Sequence, residues 1–205
     1  MFPAKKARRI DMFKYISKED SRLTGVYHDK EHQCAVASDG HILVASKQMY
    51  DSSIGELEGY NVQMKDGSIF TSDCRYPNYR MVLDSIKKGL KKYKYEKYAL
   101  NADDVRNMAR AMKDDRKKLG NGRLDDKYWM VCIGSSTFRW SFIDRFSKVC
   151  DSILVFDDAD KPAACFTDDV EACLMPYFEN RKSMEESNYR IVGQFGEMTL
   201  YCIYG

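Results

Sequence analysis

The chain has 205 residues, 44% hydrophobic and 31% charged, with a formal net charge of +2. That is enough for one large or two small domains with a real core, and no run is apolar for long enough to cross a bilayer. The near-neutral total leaves any nucleic-acid contact to local clusters, and the first half of the chain is the more basic one. The basic stretch Met1 to Arg9 has no apolar segment behind it, so it does not read as a signal peptide. A cytoplasmic protein is expected, with no membrane partner. The 7 cysteines form no CxxC pair. Reduced, mostly buried thiols are expected, and no zinc site.

In chain order, residues 4–18 read as a short helix with Ile10, Phe13 and Ile16 on one face. Lys5, Arg8 and Arg9 fall elsewhere on it. Leu23 to Tyr27 is strand-like and residues 28–32 form a polar turn. Gln33 to Ala37 and His41 to Ser46 make a hairpin around Asp39-Gly40, because glycine accepts the positive φ of a tight turn. Residues 51–59 read as loop, and Tyr60 to Met64 and Ser68 to Ser72 as two strands around Lys65-Asp66-Gly67. Pro77 excludes a central strand over 75–83. The basic, tyrosine-bearing segment 87–97 reads as a connection, dividing a domain over 1–86 from one over 98–205.

Tyr98 to Leu100 reads as a strand, and Asn101 as the cap of a helix over Ala102 to Lys118. Asp103 and Asp104 in its first turn and Arg116, Lys117 and Lys118 in its last suit the helix dipole. Val105, Met108, Ala109 and Met112 form its apolar stripe. Arg106, Arg110, Lys113 and Lys117 share another face, at steps of four, three and four residues. Gly120-Asn121-Gly122 ends it. Tyr128 to Ile133 and Thr137 to Ile143 are predicted strands, with one or two more over Phe146 to Phe156 and another at Ala163 to Phe166. Thr167 caps a predicted second helix over Asp168 to Asn180, carried by Val170, Cys173, Leu174, Tyr177 and Phe178 and kinked at Pro176. Tyr189 to Phe195 and Met198 to Tyr204 close the chain as a hairpin around Gly196. The pattern is α+β with mostly antiparallel sheets, the first half reading as a reduced form of the second.

Three chemistries can be set against these elements. Asp39 and His41, one residue apart in an extended segment, would share a face, so an Asp-oriented histidine base is one reading. No nucleophile motif, phosphate-binding glycine loop or metalloprotease motif accompanies them. His28 and His32 are four apart but lie in a polar turn rather than on a helix, which argues against a metal site. The second chemistry is a basic surface, either the 102–118 helix or the segment 87–97, meeting phosphates without reading bases. The third is a turn and groove that dock a partner, in which Asp39-Gly40 is an Asx turn.

Three segments in order sharpen the choice: Asp20-Ser21-Arg22-Leu23-Thr24-Gly25-Val26, then Val36-Ala37-Ser38-Asp39-Gly40-His41-Ile42-Leu43-Val44-Ala45, then Arg75-Tyr76-Pro77-Asn78-Tyr79-Arg80-Met81-Val82-Leu83. Together they resemble the middle domain of the bacterial β sliding clamp, the DNA polymerase III β subunit. Residues 98–205 resemble that family's last domain in topology. The resemblance implies a DNA clamp fold of two similar domains, each packing helices on mostly antiparallel sheets. It implies no catalytic residues and no cofactor or metal. Arg106, Arg110, Lys113 and Lys117, with Lys5, Arg8 and Arg9, are the implied contacts to double-stranded DNA. Leu23, Ser38, Gly40, His41, Leu43, Pro77, Met81 and Val82 are the implied cleft for peptides of DNA polymerase or other replication proteins, with Cys202, Ile203 and Tyr204 nearby. A six-domain ring would take three copies. A clamp-fold protein that binds replication partners without encircling DNA is the alternative, and a small enzyme using Asp39 and His41 a further one.

The sequence also departs from the family. One of three domains is missing, Ile42 stands where the family has a basic residue, and the aromatic pair before Leu23 is absent. The second helix of the middle domain has no counterpart between Met49 and Asn61. Leu174-Met175-Pro176 resembles the family's terminal Met-Pro, but the helical spacing read around it sets it aside.

Overall fold

The computed structural model describes residues 10–72, 76–118, 128–176 and 188–204. Strands β1 (Val26–Asp29), β2 (Cys34–Ser38) and β3 (Ile42–Ser46) come first, then the single turn α1 (Ser52–Gly55) and strands β4 (Tyr60–Gln63) and β5 (Ile69–Ser72). Helix α2 (Tyr79–Lys92), β6 (Tyr95–Ala99) and helix α3 (Ala102–Lys118) follow. The remainder is β7 (Trp129–Ile133), β8 (Ser136–Arg139), α4 (Trp140–Phe146), β9 (Ser152–Phe156), β10 (Ala163–Phe166), β11 (Val170–Leu174), β12 (Asn188–Phe195) and β13 (Met198–Tyr204). The chain forms two compact units: residues 1–79 with Phe166–Ala172, and residues 80–165 with 173–205.

In the first unit the strands run β5-β4-β1-β2-β3, with β11 beside β3. The β1–β2, β2–β3, β1–β4 and β4–β5 pairs are antiparallel. All five residues of β3 and four of the five in β2 are buried, so this hairpin is covered on both faces and reads as near-continuous apolar sequence. The second unit has two antiparallel groups, β10-β9-β6 and β12-β13-β7-β8. α3 lies on β12, and its buried Val105, Met108 and Met112 point toward that sheet.

Several predicted elements are corrected. The helix expected over 4–18 keeps only a 3-10 turn at Met12–Lys14 within the described residues, and Lys5, Arg8 and Arg9 lie outside them. Residues 87–97 are not a connector: α2 runs to Lys92 and β6 starts at Tyr95. The strand expected over Thr137 to Ile143 ends at Arg139, where α4 buries Trp140, Ile143 and Phe146 at helical spacing. The helix expected over Asp168 to Asn180 is strand β11 as far as Leu174. Its proposed cap Thr167 closes a turn instead, its Oγ1 accepting from the Val170 amide at 3.0 Å. Tyr177, Phe178 and Gly120-Asn121-Gly122 lie outside the described residues, as does Cys74. The described cysteines are unbridged, and all but Cys132 are buried.

Candidate functional site

α3 takes its shape from its ends. The Asn101 side chain accepts from the Asp103 amide at 3.0 Å, and its carbonyl accepts from the Val105 amide at 3.1 Å. These bonds satisfy donors that a helix start otherwise leaves open. On the inner face the Arg190 guanidinium of β12 pairs with buried Asp115, and the Arg116 guanidinium lies 5.7 Å from the Trp129 ring centroid. With that face fixed, Arg106, Arg110, Lys113 and Lys117 are all exposed, as the spacing predicts. Arg106 reaches Asp103, Arg110 Nη1 donates to Asn107 Oδ1 at 3.4 Å, and Lys117 is 4.0 Å from Asp114. Exposed pairs of this kind are weak, so these cations remain exchangeable toward phosphate.

The hairpin turn is built by two short side chains. Asp39 Oδ1 accepts from the His41 and Ile42 amides at 2.9 and 2.8 Å, and Ser38 Oγ accepts from the Gly40 amide at 3.1 Å. Gly40 sits at φ +87°, which a side chain rarely adopts. Residues 39–41 are therefore turn, lying between β2 and β3 rather than in an extended segment. The alternation that would set Asp39 and His41 on one face does not apply there. The Asp39 carboxylate is a turn acceptor, and His41 is exposed.

The predicted cleft residues divide between the units. Leu23, Ser38, Gly40, His41, Leu43 and Pro77 belong to the first, Met81 and Val82 to the second. Leu23 and Leu43 are core residues, Leu43 only 6% exposed, and Ser38 and Pro77 are half-buried. Met81 is 67% exposed and Val82 is exposed beside it on α2. Of the nearby candidates in β13, Cys202 is buried, and the strand is hydrogen-bonded on both edges, to β12 and β7.

One cluster is invisible to sequence reasoning. Asp29, at the end of β1, is buried and accepts from the Tyr79 hydroxyl at 2.5 Å. Its Oδ2 also lies 2.8 Å from His32 Nδ1, and its Oδ1 accepts from the Glu31 and His32 amides at 2.9 and 3.2 Å. Cys34 Sγ is 3.3 Å from the same tyrosine hydroxyl. Burial pushes the Asp29 pKa up, but the bonds from Tyr79 and His32 outweigh it and hold the carboxyl below its ordinary value. Burial, then Asp29, push the Tyr79 hydroxyl up, so it stays a donor. The cluster ties the Tyr76-Pro77-Asn78-Tyr79 segment to β1 and β2. His28 and His32 do not share a ligand position: His28 Nδ1 accepts from the Asp51 amide at 3.1 Å, while His32 is engaged with Asp29.

No protein-family model and no curated protein matches the sequence. Solved structures do. The DNA polymerase III subunit beta sliding clamp of Bartonella birtlesii, bound to griselimycin, matches with a TM-score of 0.55 at 14% identity, over 82% of this chain and 62% of that one. The C. crescentus beta sliding clamp gives 0.54 at 13%, over 82% and 62%. DNA polymerase III subunit beta of Borrelia burgdorferi, in complex with a natural product, gives 0.52 at 13%, over 83% and 60%. The chain spans about three-fifths of the length of these clamps. At such identity the likeness shows the fold alone: an α+β fold with antiparallel sheets and few helices, like that of sliding clamps.

Proposed function

We propose that this clamp-fold chain is a sliding-clamp-related accessory protein of DNA replication, a processivity factor or clamp-related platform, and not an enzyme. It holds double-stranded DNA by its phosphates and takes short peptides of DNA polymerase or other replication proteins. The observation that carries the reading is α3: one face is locked to its sheet, and the other holds Arg106, Arg110, Lys113 and Lys117 out to solvent. Such a face neutralises phosphates and releases counterions without reading sequence, which lets a protein move along a duplex. The work is binding, and none of it breaks a bond. A cytoplasmic place fits that role, and among the described residues no helix is long and apolar enough to cross a membrane.

The peptide-docking reading rests on two separately testable features. One is the rigid Ser38-to-His41 turn of the first unit, and the other is the exposed Met81 and Val82 of the second. Extended peptides bind through side-chain pockets and apolar anchors. Met81→Asp with Val82→Asp should abolish binding of a clamp-binding polymerase peptide, while Leu43→Asp tests the core rather than the cleft. The non-encircling reading is favoured by the same exposed Met81 and Val82, which need no ring to take a peptide.

Light scattering behind size exclusion, run with a retention assay on nicked circular plasmid, separates the two. Three copies that stay on circular DNA and slide off after linearisation are the expected result for a six-domain ring. A monomer that binds peptide but is lost from both DNA forms would replace the ring with the non-encircling platform. Loss of both DNA and peptide binding would overturn the proposal.

A further inference from the structure

Residues 87–97 interleave Lys87, Lys88, Lys91, Lys92, Lys94 and Lys97 with Tyr93 and Tyr95, against a single acid, Glu96. In the structure this is the last part of α2 and the strand β6, both in the second unit. Among the described residues β6 is the end strand of its group, hydrogen-bonded to β9. Lys88, Lys91, Lys92, Lys94 and Lys97 are exposed. Two aromatic rings are exposed among them, Tyr93 at 43% and Tyr95 at 42%.

The rings are held rather than loose. Tyr95 meets buried Phe156 edge to face, with centroids 6.3 Å apart at 71°. The end of α2 lies close to the same ring, since a β-carbon at Gly89 would stand 3.3 Å from Phe156. Lys161 and Lys92 bring their ammonium groups to 4.3 and 5.1 Å from the Tyr93 centroid. Two of the nearby cations have acidic neighbours, Lys94 with Asp157 at 3.4 Å and Lys161 with Asp158 at 2.5 Å. The Lys94 pair is exposed and the Lys161 pair half-buried, with Asp158 still open to solvent, so a phosphate can compete for both.

We propose that this surface binds single-stranded DNA, Tyr93 and Tyr95 stacking on bases while the surrounding lysines take the flanking phosphates. Unpaired bases present open faces to aromatic rings, and a duplex hides them, so exposed rings among cations select the single strand. No Ser, Thr, Asn or Gln lies between residues 87 and 98, and Tyr98 spends its hydroxyl on Glu96 at 2.6 Å. The lysine ammonium groups and Glu96 could meet a ribose 2′-hydroxyl as well, so the choice of DNA over RNA rests on the replication role proposed above. The surface goes beyond the duplex-binding reading of α3 and uses none of its residues.

The test is fluorescence anisotropy on the full chain with labelled oligo(dT) of about 16 nucleotides, oligo(rU) of the same length, and a matched duplex. Oligo(dT) should bind most tightly. Tyr93→Ala and Tyr95→Ala should each weaken it by about tenfold, and Tyr93→Phe with Tyr95→Phe should not. Lys88→Glu with Lys91→Glu should weaken it and flatten its salt dependence. Arg110→Glu with Lys113→Glu should leave it unchanged, which keeps this result separate from duplex binding. Wild-type affinity in the Tyr→Ala pair, an unchanged salt slope in the lysine variant, or a preference for duplex or oligo(rU) would each overturn the proposal.

Discussion

At the scale of the residue, the buried Asp29 to Tyr79 bond is the most consequential single contact described. Removing the hydroxyl leaves a buried carboxylate oxygen short of a donor. Tyr79→Phe should therefore lower stability by about 1–3 kcal/mol, read as a shift of the urea midpoint at pH 7. Asp29 is depressed in the folded state, so its stabilisation is complete above the unfolded value of about 3.9 and is lost as pH falls through the folded value. With Tyr79→Phe that depression shrinks, and the acid-side loss of stability below about pH 4 should become shallower. An unchanged acid limb would show that Tyr79 does not set this carboxyl.

His28 acts in a different window. Burial lowers its pKa against the opposing influence of Gln63 and Asp51, and its ring already accepts the Asp51 amide. A histidine depressed on folding stabilises fully above its unfolded value of about 6.5, and that contribution declines as pH falls toward the folded value. Urea midpoints should fall between about pH 7 and 5.5 in the wild type. His28→Asn, which keeps an acceptor for Asp51, should lose most of that slope. An equal slope in the variant would assign it to another group.

At the scale of the element, α3 is the place where local rules and structure agree best, although Ala109 of the predicted stripe is exposed. Asn101→Ala should cost about 1 kcal/mol, and Asn101→Asp should restore it, measured as thermal midpoints. Agreement of this kind explains what the sequence could disclose. α3 carries a polar first turn, a 3.6-residue apolar stripe and a cationic face within its 17 residues, with the Asn101 cap just before them. The β2–β3 hairpin declares itself through Asp39-Gly40, a purely local turn signal.

The errors have equally local causes. α2 has its stripe, Tyr79, Leu83 and Ile86, but Gly89 and the lysine run mimic a linker, and Gly89 is explained by the Phe156 ring beside it. β11 is covered on both faces, so Val170, Ala172, Cys173 and Leu174 show no clean alternation and pass for a helix. With the helix gone, the spacing that set Leu174-Met175-Pro176 aside no longer does so. α4 is built of Trp140, Phe142, Ile143 and Phe146, strand-favouring types that burial draws into a helix. The Asp29 cluster joins residues 45 and 50 positions apart, and no local period can announce it.

At the scale of the whole molecule, the question is whether a near-neutral chain can hold DNA at all. A net charge of +2 supplies no long-range attraction of consequence. Affinity would have to come from discrete phosphate contacts, and the α3 face offers four cations, with Asp103 and Asp114 close to two of them. Each phosphate contact adds about 0.9 to the slope of log affinity against log salt on duplex DNA. Among the described residues Arg110 and Lys113 pair with no acid, so they should bear the larger share. Arg110→Glu with Lys113→Glu should reduce that slope by about two and weaken duplex binding at every salt concentration tested. Arg106→Ala and Lys117→Ala should do less, because Asp103 and Asp114 already offset those charges. A slope unchanged in the double reversal would place duplex contact elsewhere on the molecule and leave α3 as a solvated outer face.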